Sequence, residues 1–173
     1  MKKIILVLLL ISGIALTTKA QEYSKFAFSV GPELGFPSQS VYNIGYGASA
    51  KIEFPIAGKI GLSLTGGYSR FNYKGSIISS FGSQKPSSFI PLKGGIRYGV
   101  STGFYLEAEG GNVIETTSSF TNPSRNLFAF SIGPGFLFKL SDKQSIDLGI
   151  RYEQWSKNAL KQTAIRVAYR IGW

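Results

Sequence analysis

Residues 43–54 read Asn43-Ile44-Gly45-Tyr46-Gly47-Ala48-Ser49-Ala50-Lys51-Ile52-Glu53-Phe54, and every second position from Ile44 is apolar. Ile44, Tyr46, Ala48, Ala50, Ile52 and Phe54 fall on one face of an extended chain, with Asn43, Gly45, Gly47, Ser49, Lys51 and Glu53 on the other. A period of two marks a β-strand, because successive side chains point to opposite sides of the backbone. Residues 26–36 repeat the pattern, setting Phe26, Phe28, Val30, Pro32, Leu34 and Phe36 against Ala27, Ser29, Gly31, Glu33 and Gly35. The same template fits six more segments, at about 59–69, 89–99, 103–112, 127–140, 145–153 and 162–173, which makes eight predicted strands.

The connections alternate in length. Residues 55–58, 99–102 and 141–144 are tight, 70–88, 113–126 and 154–161 are long, and 37–42 is intermediate. Short turns on one side and long loops on the other predict an all-β fold, an eight-stranded antiparallel up-and-down transmembrane β-barrel whose ends face different compartments. The two faces of the strands differ in bulk as well as polarity. The apolar face is uncharged and carries Phe26, Phe28, Phe36, Phe54, Phe104, Phe128, Phe130, Phe136, Phe138 and Trp173, whereas the other is rich in Gly, Ser and ionic residues. The interior of an eight-stranded barrel is just wide enough for side chains to fill, so those rings cannot all sit inside. The lipocalin-like soluble arrangement is therefore disfavoured, and the rings are expected to meet hydrocarbon, where a closed barrel satisfies every backbone group. With both termini in the periplasm, Phe26, Phe54, Tyr98, Phe104, Phe138 and Trp173 would form one interfacial belt. Tyr42, Tyr68, Tyr73, Phe89, Phe128, Tyr152 and Trp155 would form the other.

The chain has 173 residues, a formal charge of +10, no cysteine and no histidine. That excludes disulfides, thiol catalysis, iron–sulfur clusters and attachment of lipid at a cysteine, together with Ser-His-Asp hydrolysis and the commonest metal ligand. No cofactor or metal is expected. Lys2 and Lys3 precede an apolar run from Ile4 to Leu16, and Thr18-Lys19-Ala20 follows. Residues 1–20 thus read as a cleaved secretory signal peptide, too short in its apolar part to span a bilayer, and residues 21–173 as one barrel domain.

The inward parity carries Lys51, Lys93, Arg97, Lys139, Arg151, Arg166 and Arg170 against Glu33, Glu53, Glu107, Glu109, Asp147 and Glu153. Unpaired charges in a narrow lumen are costly, so these residues predict a salt-bridged network that plugs the barrel, the alternative being a selective conduction path lined by the same groups. Glu107 and Glu109 share a face about 7 Å apart and could be read as paired catalytic carboxylates, yet Arg97, Arg151 and Arg166 on the same surface favour ion pairing. The long connections carry Lys74, Lys85, Arg125, Lys157 and Lys161 against Glu115. Lipopolysaccharide phosphates are natural partners of such a rim. Nucleic acid is not, because the basic residues are divided between lumen and loops. Loop 70–88, with Ser76, Ile77, Ile78, Phe81 and Pro86, could be a protein-docking surface or could pack across the barrel mouth.

Two features strain the template. Pro32, Pro91 and Pro134 sit inside strands without a free edge, so bulges or kinks at neighbouring glycines are expected. Phe26–Phe36 also matches Phe128–Phe138 at seven of eleven positions. The two lie on strands of opposite direction, so shared strand constraints explain the match better than duplication of hairpins.

The last strand alternates Ile165, Val167, Tyr169, Ile171 and Trp173. With that ending, and with segments such as Phe89-Ile90-Pro91-Leu92-Lys93-Gly94-Gly95 and Phe104-Tyr105-Leu106-Glu107-Ala108, the chain resembles the small outer-membrane β-barrel proteins of Gram-negative bacteria, of the OmpA/OmpX type. It is similar above all to the compact porin-like barrel-domain family. The resemblance covers the whole of 21–173 and implies an outer-membrane location. It also implies that Ile165, Val167, Tyr169, Ile171 and Trp173 are the signal read by the barrel-assembly machinery. Barrels of this kind that modify lipid A or cleave proteins rely on histidine, so the expected role is non-enzymatic, structural or interactive, through the outer loops. The alternatives are a narrow channel or lateral route for small or hydrophobic molecules, and an accessory barrel of a secretion or assembly complex.

Overall fold

The computed structural model describes residues 26–38, 41–76, 79, 86–116, 126–156 and 159–173. The expected signal peptide lies outside them. Eight antiparallel strands, β1 (Ala27–Ser38), β2 (Tyr42–Ala57), β3 (Ile60–Tyr73), β4 (Ser87–Ser101), β5 (Phe104–Glu115), β6 (Asn126–Lys139), β7 (Gln144–Trp155) and β8 (Lys161–Gly172), follow one another around a closed barrel. β1 pairs with β8 to close it, with Phe28 opposite Ile171 and Glu33 opposite Arg166. Exposure alternates along the strands, leaving Val30, Leu34, Leu64, Leu92, Ile96, Phe130, Ile132 and Val167 on the outer wall and Ser29, Ser49, Thr65, Lys93, Arg97, Asp147 and Arg166 buried. The expected architecture and orientation of faces are therefore present.

The long connections are shorter than the sequence pattern suggests. β3 runs on to Tyr73 and β4 begins at Ser87, because the pairs Tyr46↔Arg70, Phe71↔Ser87 and Tyr42↔Tyr73 continue the ladder past polar residues. At the opposite end, Gly58 and Gly103 adopt φ of 50° and 78°, a left-handed conformation that suits a tight turn and that other residues rarely take. The third short turn holds together through the amides of Leu140 and Ser141, which donate to the Gln144 carbonyl.

The prolines are accommodated without the expected bulges. β1 stays in register with β2 through Pro32↔Ala48, while its pairing with β8 lapses over Gly31 and Pro32 and resumes in phase at Glu33↔Arg166. β6 does the same beside β7 over Gly133 and Pro134, and β4 beside β3 over Ile90 and Pro91. Each proline lacks its amide hydrogen on one side only, so one ladder gives way and the other holds. The register shifts occur elsewhere, at Tyr42/Gly45, Pro55/Ala57 and Gly99/Ser101, near strand ends. In the two matching motifs Gly31 lies against the Val167 carbonyl and the Ala168 backbone, and Gly133 against the Ile150 carbonyl and the Arg151 backbone. No Cβ fits at either position, so the Gly-Pro pair serves close strand approach in both, in keeping with shared local constraints.

Gly133→Val should force the β6–β7 seam apart and lower unfolding stability by about 2 kcal/mol. Gly94→Val, whose Cβ would meet nothing nearer than the Ser63 carbonyl at 3.9 Å, should change it by about 0.5 kcal/mol or less. Urea titration of the folded barrel in detergent micelles checks both.

Candidate functional site: the filled lumen and the loop end

Inward residues from all eight strands meet inside the barrel. Near the short-turn end, Arg97 on β4 reaches Glu53 at 2.9 Å, Glu107 at 3.3 Å and Asp147 at 3.3 Å. Its guanidinium also lies 3.8 Å from the centre of the Tyr105 ring, whose hydroxyl donates to Asp147 at 2.5 Å. Arg170 holds the other side of Glu53 at 2.9 Å. Four groups thus surround one fully buried guanidinium, whose planar fork can serve several acceptors at once.

One layer further up, Lys51 bridges Glu107 and Glu109, and Lys93 bridges Glu109 at 3.2 Å and Glu153 at 2.8 Å. Arg151 spans Glu153 at 3.0 Å and Glu33 at 2.8 Å, and Arg166 lies 3.5 Å from Glu33. Neutral donors complete the acceptors. Ser49 donates to Glu33 at 2.5 Å, Thr65 to Glu109 at 2.6 Å, and Gln162 to Glu153 at 3.2 Å. The Trp155 indole donates to Glu153 at 2.6 Å.

Twelve of the thirteen ionic residues expected in the lumen are brought together, six of each sign. Lys139 is not among them. As the last residue of β6 it lies at the rim, with its side chain 54% exposed, and pairs with Asp142 in the short turn. Its removal from the set makes the lumen charge balance even, which suits a low-dielectric interior better than seven against six. Glu107 and Glu109 are both held by Lys51, which makes them ion-pair partners. Two voids among the described residues are small, about 20 Å³ beside Lys51, Tyr105 and Arg151 and about 10 Å³ beside Glu33 and Gln162. Each has room for about one water.

The loop end is closed by an apolar plug that the sequence pattern did not foresee. Tyr42, Phe71, Phe89, Val113, Leu127, Trp155 and Leu160 are buried together. Phe89 and Trp155 meet edge to face at 4.8 Å, and Phe71 touches both. Tyr42, Phe89 and Trp155, expected in the outer aromatic belt, are thus inside it. Phe89 shares parity with Lys93 and Arg97, and Trp155 with Arg151 and Glu153, so strict alternation already points them inward. Tyr42 is turned in by the register shift between it and Gly45, which places Tyr42 and Ile44 on opposite faces despite their spacing of two. Tyr73 packs partly buried against the plug. Glu115, expected in a loop, is buried at the end of β5. Tyr68, Phe128 and Tyr152 remain outside, as do Phe54, Tyr98, Phe138 and Trp173 at the other end.

Of the basic residues assigned to the loop rim, Lys74 follows β3 and Lys161 opens β8, both partly exposed. Lys85, Arg125 and Lys157 lie outside the described residues, as do Ile77, Ile78 and Phe81 of loop 70–88. The last strand turns Val167, Tyr169, Ile171 and Trp173 outward, with Ile165 on the same face and half-buried. Trp173 and Phe54 flank Phe26 at 5.0 and 5.3 Å across the closure of the barrel.

Arg97→Leu should leave Glu53, Glu107 and Asp147 short of a counter-charge and cost about 3–5 kcal/mol of stability. Trp155→Phe keeps the plug but removes one of the two donors to one oxygen of Glu153 and leaves Gln162 as the other, at a cost of about 1 kcal/mol. Equilibrium unfolding in micelles, followed by tryptophan emission for Arg97→Leu and by circular dichroism for Trp155→Phe, measures both.

No protein-family model matches the chain, and no curated protein matches it in sequence. Among solved structures it is similar to Ail, the attachment invasion locus protein of Yersinia pestis, at a TM-score of 0.59 and 14% identity over 87% of this chain and 99% of that one. It is also similar to Ail bound to the heparin analogue sucrose octasulfate, at 0.52 and 16% identity over 87% and 99%. Neisserial surface protein A gives 0.55 and 12% identity over 84% and 96%. The chain has the fold of these small eight-stranded barrels.

Proposed function

We propose that this protein is an integral, non-enzymatic barrel of a Gram-negative outer membrane, with both termini periplasmic, that acts by contact through its loop end. The observation that carries the proposal is the filled lumen. Six cations and six anions neutralise one another across it, and an aromatic plug covers them. A solute would have to break several buried ion pairs to pass, which sets transport aside in favour of a rigid scaffold for loops. The bulky outer wall, apolar along the strands except for Arg70 near the loop end, supports the membrane setting. The absence of histidine and the engagement of every lumen carboxylate in ion pairs support the absence of catalysis.

Charge bookkeeping indicates the kind of partner. Because the lumen is neutral, the net positive charge of the chain lies outside it. The long connections and the strand ends beside them hold Arg70, Lys74, Lys85, Arg125, Lys157 and Lys161 against the buried Glu115, a larger excess than that of the short turns, where Lys59, Lys139 and Lys143 face Asp142. A basic loop end favours polyanionic partners, whether lipopolysaccharide or a sulfated sugar such as the heparin analogue sucrose octasulfate, with which Ail forms a complex. The outward face of Ile165, Val167, Tyr169, Ile171 and Trp173 is available to the assembly machinery before the barrel closes.

In planar bilayers neither the wild-type protein nor Arg97→Ala should give conductance steps; steady steps from the wild type would overturn the scaffold reading. Leu92→Arg should cost about 2–4 kcal/mol when the protein is folded into bilayers, as expected for a charge on a lipid-facing wall, and tolerance of it there would contradict the membrane setting.

A further inference from the structure

Four of the five described arginines lie in the lumen, each held by at least one carboxylate. The fifth, Arg70, is on the outer wall of β3 near the loop end, exposed, and among the described residues it makes no ion pair or hydrogen bond. Its cross-strand partners are Tyr46 on β2 and Ser88 on β4, and all three side chains stand on the outward face. Tyr68, two residues earlier on the same face, donates its hydroxyl to Ser88 at 2.8 Å. The row below is apolar, with Ala48 and Ile90 on the neighbouring strands. One guanidinium and three hydroxyls are therefore gathered where the apolar wall ends, in a chain that pairs its other described arginines with acids.

We propose that Arg70, Tyr46, Tyr68 and Ser88 form a binding site on the barrel wall for the phosphate of an anionic outer-leaflet lipid, a site that rests on the membrane setting proposed above. The guanidinium fork matches two phosphate oxygens. Tyr46 and Ser88 stand directly opposite Arg70 on the adjacent strands, at about 5 Å between such partners, so they flank a phosphate held on the guanidinium, and Tyr68 orients Ser88 through its hydroxyl. Tyrosines at this position are at home at the boundary of hydrocarbon and headgroup, and the wall beneath, from Ala48 and Ile90 to Leu92, offers a bed for an acyl chain. A soluble anion would use the same polar atoms but gain nothing from that bed, which is why a lipid is assigned. Lys74, just past the end of β3, adds attraction without geometry.

The test places wild-type, Arg70→Ala and Arg70→Lys proteins in nanodiscs of phosphatidylcholine containing bisphosphorylated lipid A or the same lipid enzymatically stripped of phosphate, and counts retained lipid A by native mass spectrometry. Arg70→Ala should retain about fivefold less phosphorylated lipid, Arg70→Lys an intermediate amount, and the stripped lipid should not distinguish the three. Equal retention by inserted wild-type and Arg70→Ala protein would overturn the site alone, reducing Arg70 to a side chain that reaches for water. Failure of all three proteins to insert would overturn the membrane setting and the site with it. Arg70-dependent binding of inorganic phosphate, as tight in lipid-free micelles as that of lipid A, would overturn the assignment to a lipid.

Discussion

The interior of this barrel is governed by the cost of placing a charge where water is nearly excluded. An ion moved from water into such a space loses several kcal/mol even after relaxation, and a counter-ion in direct contact is what restores it. Six cations and six anions meet that condition here through shared partners rather than isolated pairs. Lys51, Lys93, Arg97 and Arg151 each hold two or more carboxylates. The sharing ties strands that are not neighbours in the sheet, β2 to β5, β4 to β7 and β7 to β1, so the network braces the barrel across its diameter while the backbone ladders brace its circumference. It also fixes what else can be inside. Long charged side chains fill the lumen, so much of the rest of the inner surface is Gly, Ser, Thr or Ala, and the aromatic bulk goes to the outer wall or to the plug above the charges.

Much of this was legible in the sequence because two strong signals agree. The period of two fixes which residues face in, and the bulk of the apolar face fixes which face that is. With those in hand, the ionic residues of the lumen follow directly, except Lys139, which obeys the parity of β6 but lies past the point where a neighbour could cover it. Phe71 lay beyond the predicted end of its strand, but strict parity held the information that Phe89 and Trp155 point inward. It was masked by the expectation that aromatics near a strand end belong to an interfacial belt. Tyr42 was not legible, because a register shift of one residue inverts faces and leaves no mark in composition. The prolines show the converse. A residue that looks incompatible with an edgeless sheet is absorbed by letting one ladder lapse beside a glycine, without a change of register.

The proposed function was legible to the extent that it depends on charge. A neutral lumen places the excess positive charge outside it, and the long connections and adjoining strand ends take the larger share. Arg70 escaped notice because it lies beyond the predicted end of its strand, where it reads as one more basic loop residue. Its position on the outer wall, opposite Tyr46 and Ser88, comes from the register of three strands and from nothing local.

The account rests on the lumen being held by coupled ion pairs, and a double-mutant cycle on Lys93 and Glu153 tests that most directly. Lys93→Met, Glu153→Gln and the double variant would be unfolded with urea in micelles alongside the wild type. The account predicts a coupling energy of at least about 1 kcal/mol, within the range for residues in one buried network, with the double variant more stable than the two single losses would make it. Strict additivity would contradict it, leaving the charges as independent, solvated groups and the lumen as open to water.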